Sequence, residues 1–216
     1  MKREISMNKI VLIFGTFNPL TMAHIQIGIV AKRVINADKV IYVPAKDNFL
    51  ADWKKMDYQT ILSAEKRIDL MQKTFVSYGF EVSDVEITNE SDGKTYNTIK
   101  ILKEKYPNSS FWLVMGSDKL NELDKWYKAD NLLKENKFLI VSRDHKTFVD
   151  ETNDFIEKYR DNFQSITNDK YTEISSSMIR EACINGNISL YKDYLPKVVY
   201  DYLIENNIYG KGDKNV

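Results

Sequence analysis

Short unbroken apolar runs alternate along the chain with apolar stripes at helical spacing. Ile10–Phe14 is a continuous apolar run closed by Gly15, the pattern of a strand buried on both faces of a parallel sheet. His24–Val34 then carries Ile25, Ile27, Ile29, Val30 and Val34 as a helix, and Lys39–Val43 reads as a second strand closed by Pro44. Residues 46–60 mix polar and aromatic side chains without a period and read as a loop. Ala64, Ile68, Met71 and Phe75 share one face of a helix over Ser63–Val76. Phe80–Val85 alternates as a strand, and Tyr96–Tyr106 is a helix stopped before Pro107. Phe111–Met115 and Phe138–Val141 are further buried strands, with Asn131–Asn136 ending the helix between them. This alternation predicts an α/β fold with a largely parallel sheet and right-handed crossovers.

The last third departs from the alternation. Phe148–Tyr159, Ser176–Asn185 and Pro196–Asn206 all read as helices, the last apolar at Val198, Val199, Tyr202 and Leu203. With no repeat and no Pro/Gly/Ser-rich linker, residues 1–216 read as one domain. Its α/β core covers about residues 8–145 and its helical part about residues 146–209. Gly210–Val216 reads as a disordered tail and Met1–Ser6 as a loose extension.

Composition narrows the class. Hydrophobic residues make up 43% and charged residues 29% of the 216, as in soluble globular proteins. Thirty-one basic residues balance 31 acidic ones, which argues against a dedicated nucleic-acid binder. Cys183 is the single cysteine, so no intramolecular disulfide forms and a reducing cytoplasm is favoured. With only His24 and His145 besides it, no structural metal site is expected. The Ile10–Phe14 run is too short for a signal-peptide core or a membrane span, so no membrane partner is expected.

Several familiar motifs fail. Gly93-Lys94-Thr95 resembles the end of a P-loop, but position 88, where the first glycine belongs, is Thr. There is no G-x-G-x-x-G, no G-x-S-x-G, and no histidine near Ser175–Ser177 to activate a nucleophile.

Two other constellations point to phosphate. The first is Gly15-Thr16-Phe17-Asn18-Pro19-Leu20-Thr21-Met22-Ala23-His24, directly after the first strand. Ligands of α/β sheets bind at the carboxyl ends of strands. Gly15 permits a sharp turn and close approach of a ligand. Thr21 and His24 lie at the mouth of the next helix, where free N–H groups and partial positive charge favour phosphate. The second is Ile174-Ser175-Ser176-Ser177-Met178-Ile179-Arg180. Ser175 or Ser176 would cap the following helix, and Arg180 would swing back over its first turn to join hydroxyls and amides in a polyphosphate cradle.

Together these residues resemble the nucleotidyltransferase superfamily with a (T/H)-x-x-H motif after its first strand and an I-S-S-(S/T)-x-(I/V)-R motif near its C-terminus. Within it the chain looks like the nicotinate/nicotinamide mononucleotide adenylyltransferases, from about Lys9 to Tyr209. The likeness includes Ser83–Ile87, Thr95 with Thr98, Gly116-Ser117-Asp118, Trp126, and Tyr194-Leu195-Pro196 onward to Tyr209. The fold it implies is a Rossmann-like parallel sheet flanked by helices, with a small helical C-terminal portion. Phe14, Thr21 and Ala23 depart from the bacterial nicotinate-specific pattern, which has Gly, His and Gly there; that stretch looks more like the eukaryotic-type enzymes that accept both mononucleotides.

The resemblance implies transfer of AMP from ATP, with Mg²⁺ on the phosphates, to nicotinate mononucleotide, with release of pyrophosphate in NAD biosynthesis. Nicotinamide mononucleotide is a second acceptor in the family. Pantetheine-phosphate adenylyltransferases share both phosphate motifs, and a nucleotide-binding regulator without turnover would too. The implied catalytic residues are His24, Thr21 and Arg180, with His24 and Thr21 on the ATP phosphates. Gly15, Thr16, Phe17, Gly116, Asp118, Ser175, Ser176 and Ser177 would hold the nucleotide, Gly116 and Asp118 at its ribose. Thr95, Trp126, Tyr127 and Arg143 would bind the acceptor. Lys54 or Lys55 would reach a phosphate from the 46–60 loop. The expected partners are small molecules, and a homo-oligomer stays open.

Overall fold

Six strands form one parallel sheet in the order β3-β2-β1-β4-β5-β6. In the computed structural model, which describes residues 7–47, 61–141 and 153–210, these are β1 (Asn8–Gly15), β2 (Lys39–Pro44), β3 (Glu81–Val82), β4 (Ser109–Gly116), β5 (Lys137–Val141) and β6 (Phe163–Ile166). The helices among them are α1 (Met22–Ile35), α2 (Ala64–Phe75), α3 (Thr95–Lys105), α4 (Ala129–Glu135), α5 (Asp154–Glu157), α6 (Ser176–Ile184) and α7 (Lys197–Glu205). Every strand pair is parallel. This is the doubly wound Rossmann order, whose strand sequence reverses between β1 and β4.

The two faces of the sheet explain the continuous apolar runs. Successive side chains of a strand point to opposite faces, so a strand covered on both must be apolar throughout. Val11, Ile13, Val40, Tyr42, Leu139 and Val141 pack on one face with residues of α1, α2, α6 and α7. Ile10, Leu12, Ile41, Val43, Leu113 and Ile140 pack on the other with α3, α4 and α5. Helices therefore change face after β3. Beyond β6 the chain crosses back, and α6 and α7 lie on the face of α1. That return carries the Ile174–Arg180 motif toward the Gly15–His24 motif.

Three expectations change. The last third contains a strand as well as helices: β6 pairs with β5 from Phe138↔Phe163 to Val141↔Ile166 and extends the sheet beyond residue 145. It is an edge strand whose central Gln164 and Ser165 are exposed, so no apolar run announces it. The strand expected over Phe80–Val85 is confined to Glu81–Val82, because the Asp84 carbonyl accepts from the Ile87 and Thr88 amides and turns the chain. Of the helix expected over Phe148–Tyr159, only Asp154–Glu157 forms among the described residues, capped by Asn153 Oδ1 on the Ile156 amide at 3.0 Å. Residues 48–60 of the expected loop, Met1–Ser6 and residues 211–216 lie outside the described residues.

Candidate active site

The reversal point between β1 and β4 opens a crevice at the carboxyl ends of the strands, the usual ligand position in such sheets. Gly15 ends β1 and Gly116 ends β4. Gly15 has no room for a side chain, for a reason internal to the protein. A Cβ there would lie 2.8 Å from the Phe17 ring, which folds back over the strand end. Phe17 is 2% exposed with φ +47°, so its ring belongs to the core. Thr16 and Gly15 are half-buried at the crevice edge. Gly116 has a similar role: a Cβ there would lie 2.2 Å from Asp118 Oδ1, so the glycine lets that carboxylate fold over the end of β4. The Asp118 side chain is more than half exposed there, with Lys119 Nζ at 3.9 Å.

His24 stands in the first turn of α1, held by its own N-cap. The Thr21 backbone N–H donates to His24 Nδ1 at 3.1 Å, and Thr21 Oγ1 lies 2.9 Å from the same nitrogen. A backbone N–H can only donate, so Nδ1 accepts and a neutral ring carries its proton on Nε2. The Phe17 ring meets the imidazole edge-on, with centroids 5.2 Å apart at 79°. Behind it, Tyr42 OH donates to the His24 carbonyl at 2.9 Å. Gly28 makes that possible, since a Cβ at 28 would lie 2.2 Å from the same phenol oxygen. Thr21 itself has no exposed surface. Its hydroxyl lies against His24 Nδ1 and supports the imidazole from behind.

The second motif lies against the first. Ser175 Oγ accepts from the Met178 amide at 3.3 Å and caps α6. Ser176 Oγ donates to the Pro19 carbonyl at 2.8 Å. Arg180 donates through Nη1 to the Asn18 carbonyl at 2.7 Å and through Nη2 to Ser177 Oγ at 3.0 Å. Burial pushes the Arg180 pKa down, but a guanidinium stays charged at neutral pH. Asn18, fully buried, joins both motifs to the chain end. Its Oδ1 accepts from the Leu62 amide at 2.9 Å and from Tyr209 OH at 2.6 Å. Burial raises the Tyr209 phenol well above its usual range, so it remains a donor.

Arg67 was not found from the sequence, where it reads as a polar position on α2. It is 1% exposed and lies under the strand ends. Its guanidinium donates to the carbonyls of Leu62 at 3.1 Å, Thr16 at 2.7 Å and Ala45 at 2.7 Å, and to Asp47 Oδ1 at 2.6 Å. One side chain thereby fixes the turn after β1, the end of β2 and the entry to α2. Its only sequence signal was its place one turn from the Ser63 cap, on the buried side of α2.

Of the residues expected at the acceptor, Thr95 opens α3 and is half-buried. Trp126 is half-buried and Tyr127 is 44% exposed. Tyr96 meets Tyr127 edge-on at 6.4 Å, which brings the start of α3 beside the Trp126–Tyr127 segment. Lys94 lies 4.9 Å and Lys128 5.5 Å from the Tyr127 ring centre, so this corner carries positive charge over aromatic faces. Arg143, Lys54 and Lys55 lie outside the described residues. Among the described residues no three His, Cys, Asp or Glu side chains gather as a metal site, and no helix is long and apolar enough to cross a membrane.

Comparison with known proteins agrees with this geometry. The cytidylyltransferase-like family model matches residues 12–182, which span both motifs. A probable nicotinate-nucleotide adenylyltransferase of Staphylococcus epidermidis is 32% identical over 94% of this chain and 97% of its own. A second, of Carboxydothermus hydrogenoformans, is 29% identical over 93% and 98%. Among solved structures, the Plasmodium falciparum nicotinic acid mononucleotide adenylyltransferase complexed with NaAD superposes with a TM-score of 0.72 at 22% identity, covering 94% of this chain and 97% of that one. A putative nicotinate-nucleotide adenylyltransferase of Vibrio parahaemolyticus gives 0.64 at 19% identity, over 94% and 96%. The structural likenesses establish the fold, and the sequence matches establish the kinship: the chain belongs to the cytidylyltransferase-like family, among the nicotinate-nucleotide adenylyltransferases.

Proposed function

We propose that the chain transfers the adenylyl group of ATP to nicotinate mononucleotide and releases pyrophosphate. The observation that carries this is the meeting of two sequence-distant phosphate motifs at the reversal point of the sheet, through Ser176 on Pro19 and Arg180 on Asn18. A phosphate oxygen of the mononucleotide attacks the α-phosphorus of ATP, and the bond to the outgoing pyrophosphate breaks. No enzyme nucleophile takes part, so catalysis consists of positioning and charge stabilisation. His24 Nε2 donates to a phosphoryl oxygen whose charge grows in the transition state. Arg180, Ser177 and, through its backbone amide, Ser176 hold the outer phosphates, Gly116 and Asp118 meet the ribose of ATP, and Thr95 with Trp126 meets the pyridine ring. Mg²⁺, when bound, would be held chiefly by the ATP phosphates and water, as this ion ordinarily is, and would neutralise charge on those phosphates. The reaction suits a small-molecule enzyme of the cytoplasm.

Pyrophosphate release with ATP and, in turn, nicotinate mononucleotide, nicotinamide mononucleotide and pantetheine phosphate tests this reading. The nicotinate form is expected to give kcat/KM at least equal to that of the nicotinamide form. Charge-assisted bonds to its carboxylate, worth roughly 1.5–3 kcal/mol each, favour it. A preference of more than about tenfold for either other acceptor would reverse the assignment.

Arg180→Lys gives a second expected outcome. Lysine keeps the charge but loses the planar fork that now spans Asn18 and Ser177. Binding of ATP and pyrophosphate is expected to weaken by about tenfold or more, and binding of AMP to stay within about twofold. Titration of the three ligands checks it, and equal weakening for AMP would place Arg180 away from the outer phosphates.

A further inference from the structure

We propose that Glu86 is a positioning residue for the acceptor half of the reaction, acting through Thr98 and Ser91 on the turn that leads into Thr95. The inference rests on the reading of Thr95 as an acceptor contact. Three polar side chains are buried together beneath this turn: Glu86 at 6%, Ser91 at 3% and Thr98 at 0% exposure. Buried polar groups are retained where their bonds are made, and here each bond has one direction. The Gly93 amide donates to Ser91 Oγ at 3.2 Å. Thr98 Oγ1 donates its one proton to Glu86 Oε1 at 2.9 Å. The 2.7 Å contact between Ser91 Oγ and Thr98 Oγ1 is then left with Ser91 as donor. The relay runs from Gly93 through Ser91 and Thr98 and ends on Glu86.

Gly93 lies two residues before Thr95, in the left-handed region at φ +81°. The relay therefore sets where α3 begins and where Thr95 stands. Lys46 Nζ, from the end of β2, donates to the Ser91 carbonyl at 2.8 Å and ties the same turn to the phosphate side. The charged groups facing Glu86 are Lys46, which favours its carboxylate, and Asp92, which opposes it. Burial outweighs both and pushes the Glu86 carboxyl up to about 7. The relay requires only an acceptor oxygen at this position, which a neutral carboxyl or an amide also supplies.

The test compares Glu86→Gln, Glu86→Leu and Thr98→Val in steady-state kinetics with ATP and nicotinate mononucleotide at pH 6 and pH 8. Glu86→Gln keeps the acceptor oxygen, and its mononucleotide KM is expected within about twofold of the unsubstituted chain. Glu86→Leu and Thr98→Val break the relay, so each is expected to raise mononucleotide KM by roughly tenfold or more, with ATP KM within about twofold. Equal rises in both KM values, or no rise in either, would overturn the proposal. Thr98→Val is nearly isosteric and carries the test if Glu86→Leu does not fold. Absence of mononucleotide turnover in the unsubstituted chain would instead defeat the functional reading.

Thermal unfolding against pH is an independent readout. The folded carboxyl keeps its proton above the pH at which the unfolded one loses it. Its contribution is thus full below the unfolded value near 4.5 and fades as pH rises through about 7. Glu86→Gln is expected to flatten that part of the Tm profile, and an identical profile for both proteins would contradict the buried placement.

Discussion

His24→Ala is expected to lower kcat by roughly 10²–10³, with little change in the KM for ATP. A donor accelerates the reaction only to the extent that it binds the transition state better than the ground state. His24 Nε2 meets that condition if it faces an oxygen that gains charge during transfer. The protein defines the ring's orientation before substrate arrives. The Thr21 amide at 3.1 Å and its hydroxyl at 2.9 Å fix Nδ1 as acceptor, and the Phe17 ring confines the imidazole plane. Such preorganisation carries no reorganisation cost at the moment of reaction. The fold is expected to survive. Ile25, Val30, Ala31 and Ile35 keep α1 buried, and loss of the bond between His24 and the N-cap costs about 1 kcal/mol. kcat from pyrophosphate release, with Tm as control, decides the matter. Retention of more than about a third of kcat would remove His24 from the chemistry.

Buried strands and phosphate motifs were legible in the sequence because each depends on local pattern. A strand covered on both faces must be apolar throughout, as Ile10–Phe14 is, and α6 shows its cap in Ser175. β6 was not legible, because an edge strand with Gln164 and Ser165 outward has no such constraint. In the site, burial separates residues that share a motif. His24, Ser176 and Arg180 come together as their motifs implied. Thr21 and Phe17 share those motifs yet are buried beneath the surface they shape. A motif marks residues that build one site, and burial shows which of them hold the others in place. Arg67 and the Glu86 relay escaped for a complementary reason. Charged residues on a helix or in a turn resemble solvated ones until tertiary contacts place carbonyls around them.

Arg67→Met is expected to destabilise the chain by about 3–5 kcal/mol, the largest stability effect of any substitution considered for this site. Methionine fills much of the stem's volume but returns none of the hydrogen bonds. The carbonyls of Leu62, Thr16 and Ala45 would each lose a charged donor. An unsatisfied buried acceptor costs roughly 1–3 kcal/mol. Asp47 moderates the sum, because its side chain is 35% exposed and also accepts from the Ala64 amide at 3.1 Å. It can turn to solvent when its partner is removed, which places the expected value nearer 3 than 5 kcal/mol. For a chain of this length each kcal/mol lowers Tm by roughly 2–4 °C, so Tm should fall on the order of 10 °C. Activity should fall as well, below the temperature of unfolding. The Thr16 carbonyl is one residue from Gly15, and releasing it loosens the turn against which Ser176 and Arg180 are held. Arg67→Lys is expected to recover only part of the stability, since an ammonium cannot reach carbonyls spread around a planar fork. Urea unfolding of the three proteins measures the differences directly. An Arg67→Met protein within about 1 kcal/mol of the unsubstituted chain would show that the turn after β1 is held by its apolar contacts and not by this guanidinium.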